Sequence, residues 1–285
     1  MRVLVTGAGG MLGRAVVEHC VSRGDEVFAH DRLGLDITEA ASVRAIFERE
    51  RPETVINCAA WTDVDGCESN HERAFMVNAR GPQALAGAAR AVHAQLITVS
   101  TDYVFDGEKE GFYTQHDDPR PLSVYGAAKL EGERLAQAAC ARTLIVRSGW
   151  IFGAGGRNYL SRVIEMARAG QSLQAIHDAY GTPTYAVHLA AQIRELAQLD
   201  LPGIYHIVNS GEGASYEEFT RAALAAAGNP TTKIESVAFA SLERPAPRPR
   251  NSRLRCLLSA ALKLEPLPRW QEAVKEFAVA ARGRA

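Results

Sequence analysis

The sequence predicts an α/β fold: a Rossmann-like, doubly wound parallel sheet with a smaller, interleaved C-terminal domain. Three observations predict it. Short, nearly all-apolar β-branched runs alternate with Ala-rich helical stretches, the pattern of parallel strands buried on both faces and joined by right-handed crossovers. A glycine-rich turn follows the first such run. The alternation then loosens after Trp150, where glycines and prolines cluster at 153–156 and 181–183.

The expected strands are 3–6, 26–29, 54–57, 95–100 and 143–147, with a sixth at 203–208. Helices are expected between them. Residues 12–23 carry apolar side chains at helical spacing, and 39–51 follows Asp36 and Thr38, two residue types that cap helices. The Ala-rich stretch 72–92 reads as one helix and 123–140 as another. Three more are expected at 158–169, 186–199 and 215–227. The segment 244–250, Arg-Pro-Ala-Pro-Arg-Pro-Arg, is neither helix nor central strand, because proline fixes φ and lacks an N–H. A last amphipathic helix is expected over 268–282. Pro268 suits its first position, and Trp270, Val274 and Phe277 form one inward stripe. These elements divide the chain into 1–152 plus 184–210, and 153–183 plus 211–285.

Composition narrows the function classes. The 285 residues are 47% apolar and 23% charged, which argues against disorder and coiled coil. Basic residues number 32 against 33 acidic, so no electrostatic footprint for nucleic acid or an anionic membrane is present. No apolar run approaches the ~18 residues that span a bilayer, and the first apolar stretch is too short for a signal peptide. Five cysteines without a CxxC pair read as reduced thiols in a cytoplasmic protein. The spacings of His30, His177 and His188 match no metal-ligand pattern, so no metal is expected.

The turn Gly7-Ala8-Gly9-Gly10-Met11-Leu12-Gly13 joins the first strand to the first helix. Glycines there permit a tight turn, close approach to a pyrophosphate and close helix–strand packing, and the helix N-terminus presents N–H groups to the phosphates. Asp31 stands 24 residues after Gly7 and can bind the ribose hydroxyls of NAD; the adjacent Arg32 can bind a 2′-phosphate. NADPH is the favoured cofactor, with NADH the alternative.

Tyr125 and Lys129 lie at i and i+4 near the start of a long helix, on one face. An ammonium beside a phenol stabilises the phenolate, so Tyr125 is expected to be an acid that protonates a carbonyl oxygen as hydride arrives at carbon. Ser100-Thr101-Asp102-Tyr103 ends the fourth strand, at the sheet edge where such folds bind ligands, and supplies a hydroxyl.

With these motifs in place the chain resembles the extended short-chain dehydrogenases/reductases, and within them the dTDP-4-dehydrorhamnose reductases. The resemblance rests on Asn57-Cys58-Ala59-Ala60-Trp61-Thr62-Asp63-Val64-Asp65-Gly66-Cys67-Glu68, on Ser100 to Gly107, on Arg147 to Gly153, on Asp178 to Thr184 and on Arg248 to Leu254. It implies reduction of the C4 ketone of a nucleotide-activated 6-deoxy sugar, giving dTDP-L-rhamnose. It also implies that Tyr125 is the proton donor, Lys129 its partner and Thr101 the hydroxyl on the substrate oxygen. Val64, Tyr103 and Trp150 would line the sugar pocket, with Asn158 and Arg248 as further substrate contacts. Gly7, Gly10, Met11, Leu12, Gly13, Asp31, Arg32, Asp36, Ile37, Ala59 and Ala60 would surround the cofactor, alongside Tyr125 and Lys129. A diphosphate-linked sugar is an anion, and the arginines from Arg244 to Arg255 would supply cations. The sequence departs from the family at Arg14 and Ala15, where some members carry a metal-binding glutamate of a dimer interface. A monomer or weak homodimer without metal is therefore expected. Trp61 is bulkier than usual at its place. Two other readings share the same residues: a nucleotide-sugar epimerase or dehydratase, and a cofactor-binding regulatory subunit.

Overall fold

The buried β-branched runs become strands because each can hide both faces, and the amphipathic stretches become helices because each has one apolar stripe. A computed structural model of the chain describes residues 1–156 and 158–282. Arg157 and the last three residues of the expected second domain lie outside the described residues. The nucleotide-domain elements are β1 (Arg2–Thr6), α1 (Met11–Ser22), β2 (Glu26–His30), α2 (Ala40–Glu50), β3 (Thr54–Asn57), α3 (Val64–Ser69) and α4 (His71–Phe75). A π-helical turn (Met76–Arg80) leads into α5 (Gly81–Ala91), then β4 (Gln95–Thr101), α6 (Val124–Ala139) and β5 (Thr143–Ser148). Then come β6 (Ile151–Phe152), α7 (Tyr159–Arg168), β7 (Leu173–Ile176), β8 (Tyr180–Gly181), β9 (Thr184–Tyr185), α8 (Ala186–Leu199) and β10 (Gly203–His206). The chain closes with β11 (Ala214–Ser215), α9 (Tyr216–Ala226), β12 (Ile234–Val237), α10 (Leu258–Ala261) and α11 (Trp270–Arg282).

The main sheet has six strands in the order β10-β5-β4-β3-β1-β2, and every pairing is parallel. The strand order reverses between β1 and β3, so the crevice at their carboxyl ends is the topological switch point where such sheets bind ligands. One face is covered by α1 and α8, whose Val16, Leu189 and Ile193 pack on Val5, Ile97 and Val146. The other is covered by helices including α2 and α5, with Phe47 and Leu85 on Leu4, Val55 and Leu96. A separate aromatic core joins β6, β9, α7, α9 and α11 around Phe152, Phe219, Trp270 and Phe277.

Local differences from expectation have physical reasons. The stretch expected as one helix over 72–92 is three pieces: a short α-helix, a π-helical turn and α5, with Pro82 in the first turn of α5. Proline lacks the N–H that would continue a regular ladder. Neither Asp36 nor Thr38 caps α2. The Asp36 carboxylate instead accepts from the Thr38 N–H (3.0 Å) and hydroxyl (2.7 Å), and Glu39 precedes the helix without a side-chain cap. Pro268 stands outside α11; its carbonyl accepts from Ser210 N (3.1 Å) and from the Asn209 amide (2.9 Å). The proline-rich segment 244–250 is an ordered loop pinned to α3 and to Asp178.

Candidate active site

The turn after β1 is closed so tightly that only glycine fits. Gly7 has φ +66°, and a Cβ on it would lie 2.6 Å from the Ala59 nitrogen. A Cβ on Gly13 would lie 2.2 Å from the Gly7 carbonyl oxygen. From the carboxyl ends of β1 and β3 to the middle of β4, Thr6 donates to Asn57 (2.7 Å) and Asn57 to Thr98 (2.9 Å), while Asn57 also accepts from Ala59 N (3.1 Å). That ladder fixes the Ala59-Ala60 backbone against the turn. Helix α1 then starts at Gly10 with no side-chain cap and no acid in its first turn. Its first N–H groups and its positive dipole end therefore suit an anion such as a pyrophosphate.

A cavity of about 390 Å³ opens there. Gly7, Gly10, Asp31, Arg32, Asp36, Ile37, Ala59 and Ala60 all line it, as do Trp61 and Arg73. Asp31 accepts from Leu33 N (3.0 Å) and Gly34 N (2.9 Å), which shapes the turn after β2. Arg32 lies 3.5 Å from Asp36. The Thr38 N–H and hydroxyl hold the Asp36 carboxyl below its ordinary range. Trp61 is fixed by Asn78 of the π-helical turn, which accepts from Trp61 N (2.9 Å) and donates to its carbonyl (2.9 Å). Arg73 then stacks on the indole, 4.3 Å from the ring centre. The cavity's shape, its glycine floor and its uncapped helix end fit the adenosine diphosphate half of a dinucleotide.

The hydroxyl set forms where β4 meets α6. Ser123 caps α6 by accepting from Gly126 N (3.2 Å). Gly126 presses on the Tyr103 backbone, where a Cβ would come within 2.2 Å of the carbonyl oxygen. This contact brings Tyr125 to the end of β4, where it shares a cavity wall with Thr101. Thr101 donates to Asp102 (3.1 Å). One turn along α6, the Lys129 ammonium donates to the Val99 carbonyl (2.7 Å). Another turn along, Glu133 accepts from the Ser100 hydroxyl and forms a two-pronged, fully buried pair with Arg147 (3.0 and 2.6 Å).

The charge states differ from expectation in one respect. Burial pushes the Tyr125 phenol up, against the opposing influence of the nearby Thr101 hydroxyl. The lowering expected from Lys129 is absent because the ammonium is turned to the Val99 carbonyl. Burial also lowers Lys129 to about 8, with Glu133 and Cys58 acting in the other direction. Burial raises the Asp102 carboxyl to about 6, hydrogen bonds from Ser252 and Thr101 opposing it.

A second cavity of about 350 Å³ lies over this set, and Val64, Thr101, Tyr103, Tyr125 and Trp150 line it. Trp150 takes a left-handed backbone (φ 46°) and stacks on Tyr216, ring centres 3.9 Å apart. A Cβ on Gly181 would strike the indole at 2.2 Å, so this residue must be glycine. Thr62, Asp102, Ile151, Phe152, Tyr159, Tyr216 and Phe219 complete the wall. Asp102 stands in a motif visible in the sequence. Tyr159, Tyr216 and Phe219 come from α7 and α9, and no local pattern pairs them with Trp150. A third cavity shares Gly10 and Ala60 with the first and Thr101, Tyr125 and Trp150 with the second, and adds Met11, Leu12, Gly13, Lys129 and Asn158. The three share walls as one cleft.

Two residues expected at the substrate have their polar groups engaged elsewhere. Asn158 caps α7, accepting from Ser161 N (3.1 Å), and donates to the Gly153 carbonyl (2.8 Å). Arg248 is outside the cavity walls, held by Asp65 at 2.6 and 2.8 Å. All five cysteines are free. Among the described residues no group of three His, Cys, Asp or Glu side chains could hold a metal, and no helix is long and apolar enough to cross a membrane.

A doubly wound parallel sheet, a closed glycine turn at its switch point and a Thr-Tyr-Lys set at the neighbouring strand end together define an extended short-chain dehydrogenase/reductase. Comparison with known proteins narrows this. The family model described as "RmlD substrate binding domain" matches residues 1–282. A dTDP-4-dehydrorhamnose reductase of Streptomyces griseus is 39% identical, covering 100% of this chain and 95% of its own. The crystal structure of a dTDP-4-dehydrorhamnose reductase from Clostridium acetobutylicum is similar at TM-score 0.95 and 35% identity, over 99% of this chain and 100% of that one. Another from Bacillus anthracis, solved in complex with NADP, has TM-score 0.94 and 30% identity, over 98% of each chain. The chain belongs to the dTDP-4-dehydrorhamnose reductase family.

Proposed function

We propose that this protein reduces the C4 ketone of dTDP-4-dehydro-L-rhamnose to give dTDP-L-rhamnose, with NADPH as the reductant. The observation that carries the reading is the convergence of Thr101 and Tyr125 on the wall shared by the second and third cavities, with Lys129 one helical turn away on the third. When bound, the cofactor supplies the hydride that adds to the ketone carbon. Gly7, Gly10, Met11, Leu12 and Gly13 hold its phosphates, and Asp31, Arg32, Asp36, Ile37, Ala59 and Ala60 its adenosine. Thr101 and Tyr125 hydrogen-bond the ketone oxygen. As the C=O bond becomes C–O, Tyr125 gives that oxygen its proton, so carbon gains hydride and oxygen gains H⁺. The high proton affinity that burial gives Tyr125 keeps this acid loaded before reaction. Lys129, held by the Val99 carbonyl, orients the cofactor ribose. Val64, Tyr103 and Trp150 bound the sugar; Asn158 sets the loop beside it.

In this reading residues 1–152 with 184–210 carry the cofactor, and 153–183 with 211–285 the sugar. The protein works in the cytoplasm as a monomer or weak homodimer. The test is the absorbance of reduced nicotinamide in a mixture of protein, NADPH and freshly generated dTDP-4-keto-6-deoxy sugar with its 3,5-epimerase. Stoichiometric loss is expected, faster with NADPH than NADH. Tyr125→Phe should bind NADPH as the wild type does and turn over at least about 100-fold more slowly. Sugar interconversion without net loss of NADPH would instead support an epimerase.

A further inference from the structure

The second cavity has a chemical gap. Its ligand, on the reading above, carries a diphosphate, yet among the described residues its walls hold no arginine or lysine and do hold the buried carboxyl of Asp102. A cation at the rim is the natural complement for a dianion. Five arginines lie between 244 and 255, and four are engaged. Arg248 is paired with Asp65 (2.6 Å) and Arg250 with Asp178 (3.0 Å). Arg253 donates to Asn251 (2.9 Å), and Arg255 stacks on Phe112, 3.9 Å from the ring centre. Arg244 is exposed and has no hydrogen-bond or ion-pair partner among the described residues.

Its place is set by the loop. Ala246 N donates to Asp65 (3.0 Å), the same carboxylate that holds Arg248, and Asp65 follows Val64 of the cavity wall. Arg244 is therefore tethered two residues from the rim. Its charge also favours the phenolate forms of Tyr103, Tyr159 and Tyr216, all of which line the cavity. We propose that Arg244 is the cation that receives the diphosphate of the nucleotide carrier, and that it sets the affinity for the nucleotide sugar without taking part in the chemistry. The proposal rests on the nucleotide-sugar reading of the same site.

The experiment measures dTDP and thymidine affinity by titration calorimetry on wild type, Arg244→Gln, Arg244→Lys and Arg90→Gln. Arg90 is the control, an exposed arginine of α5 outside the loop and the cavity walls. Arg244→Gln is expected to weaken dTDP about tenfold and leave thymidine unchanged. It should raise KM for the keto-sugar by a similar factor with kcat within twofold. Arg244→Lys should recover part of the loss, and Arg90→Gln should match the wild type. The wild-type preference for dTDP over thymidine should shrink as salt is raised. Equal dTDP affinity in wild type and Arg244→Gln, with wild-type turnover intact, overturns this proposal and spares the reductase reading. A wild type that binds none of dTDP, UDP or GDP overturns both.

Discussion

Lys129 is a buried ammonium whose proton is less secure than that of a surface lysine, since burial brings it to about 8. The charged form dominates below that pH and is lost above it. If the cofactor ribose needs that charge, kcat/KM should fall on the alkaline side with an apparent pKa near 8, because this ratio reports the free enzyme. A pH profile of kcat/KM checks it, and a flat profile to pH 10 would separate Lys129 from the reaction. At this scale much of the site was readable. Tyr125, Lys129 and Thr101 announced themselves by spacing and by position after a strand. Tyr216 did not, because its partner Trp150 lies 66 positions away in sequence and meets it only through the docking of α9. Arg248 carried the right charge for a ligand contact, but charge alone does not show that Asp65 has already taken it.

Among the elements, α6 carries a file of side chains at successive turns: Tyr125, Lys129 and Glu133. The last is tied to Arg147 of β5 and Ser100 of β4, so it fastens the helix to two strands. Both ionic side chains are almost wholly buried, at 3% and 4% exposure. Glu133→Gln leaves the Arg147 guanidinium buried without its counter-charge and is expected to cost about 3–5 kcal/mol. The double change Glu133→Leu with Arg147→Met should cost less than the single one. Urea unfolding midpoints distinguish these outcomes. Helix boundaries were less legible than helix existence. The break between 75 and 81 lies in an Ala-rich run whose composition favours helix throughout. The wide π-helical turn is stabilised by contacts that propensity does not encode, the Asn78 bonds to Trp61 among them.

For the whole molecule, the alternation of strands and helices gave the parallel sheet and its switch point, since burial on both faces leaves a continuous apolar signature. The small strands β6 to β9, β11 and β12 gave no comparable signal, most being too short for any period. The sixth strand of the sheet, β10, joins β5 only after the chain has left the sheet and come back. A fragment of residues 1–152 would end without β10 and without α8, whose Leu189 and Ile193 are fully buried. Its outer strand would offer unpaired N–H and C=O groups beside a bare apolar face. Sedimentation should find that fragment self-associated, and a folded monomer would count against the description. The same order has a consequence during synthesis. Fifty-four residues separate the end of β5 from the start of β10. At about 5–20 residues per second, a ribosome leaves the nascent sheet open along that side for roughly 3–11 s. That interval, rather than the stability of the finished protein, is when a crowded polysome could pair one chain's β5 with its neighbour's, so slower translation across 149–202 should lower the yield of active enzyme.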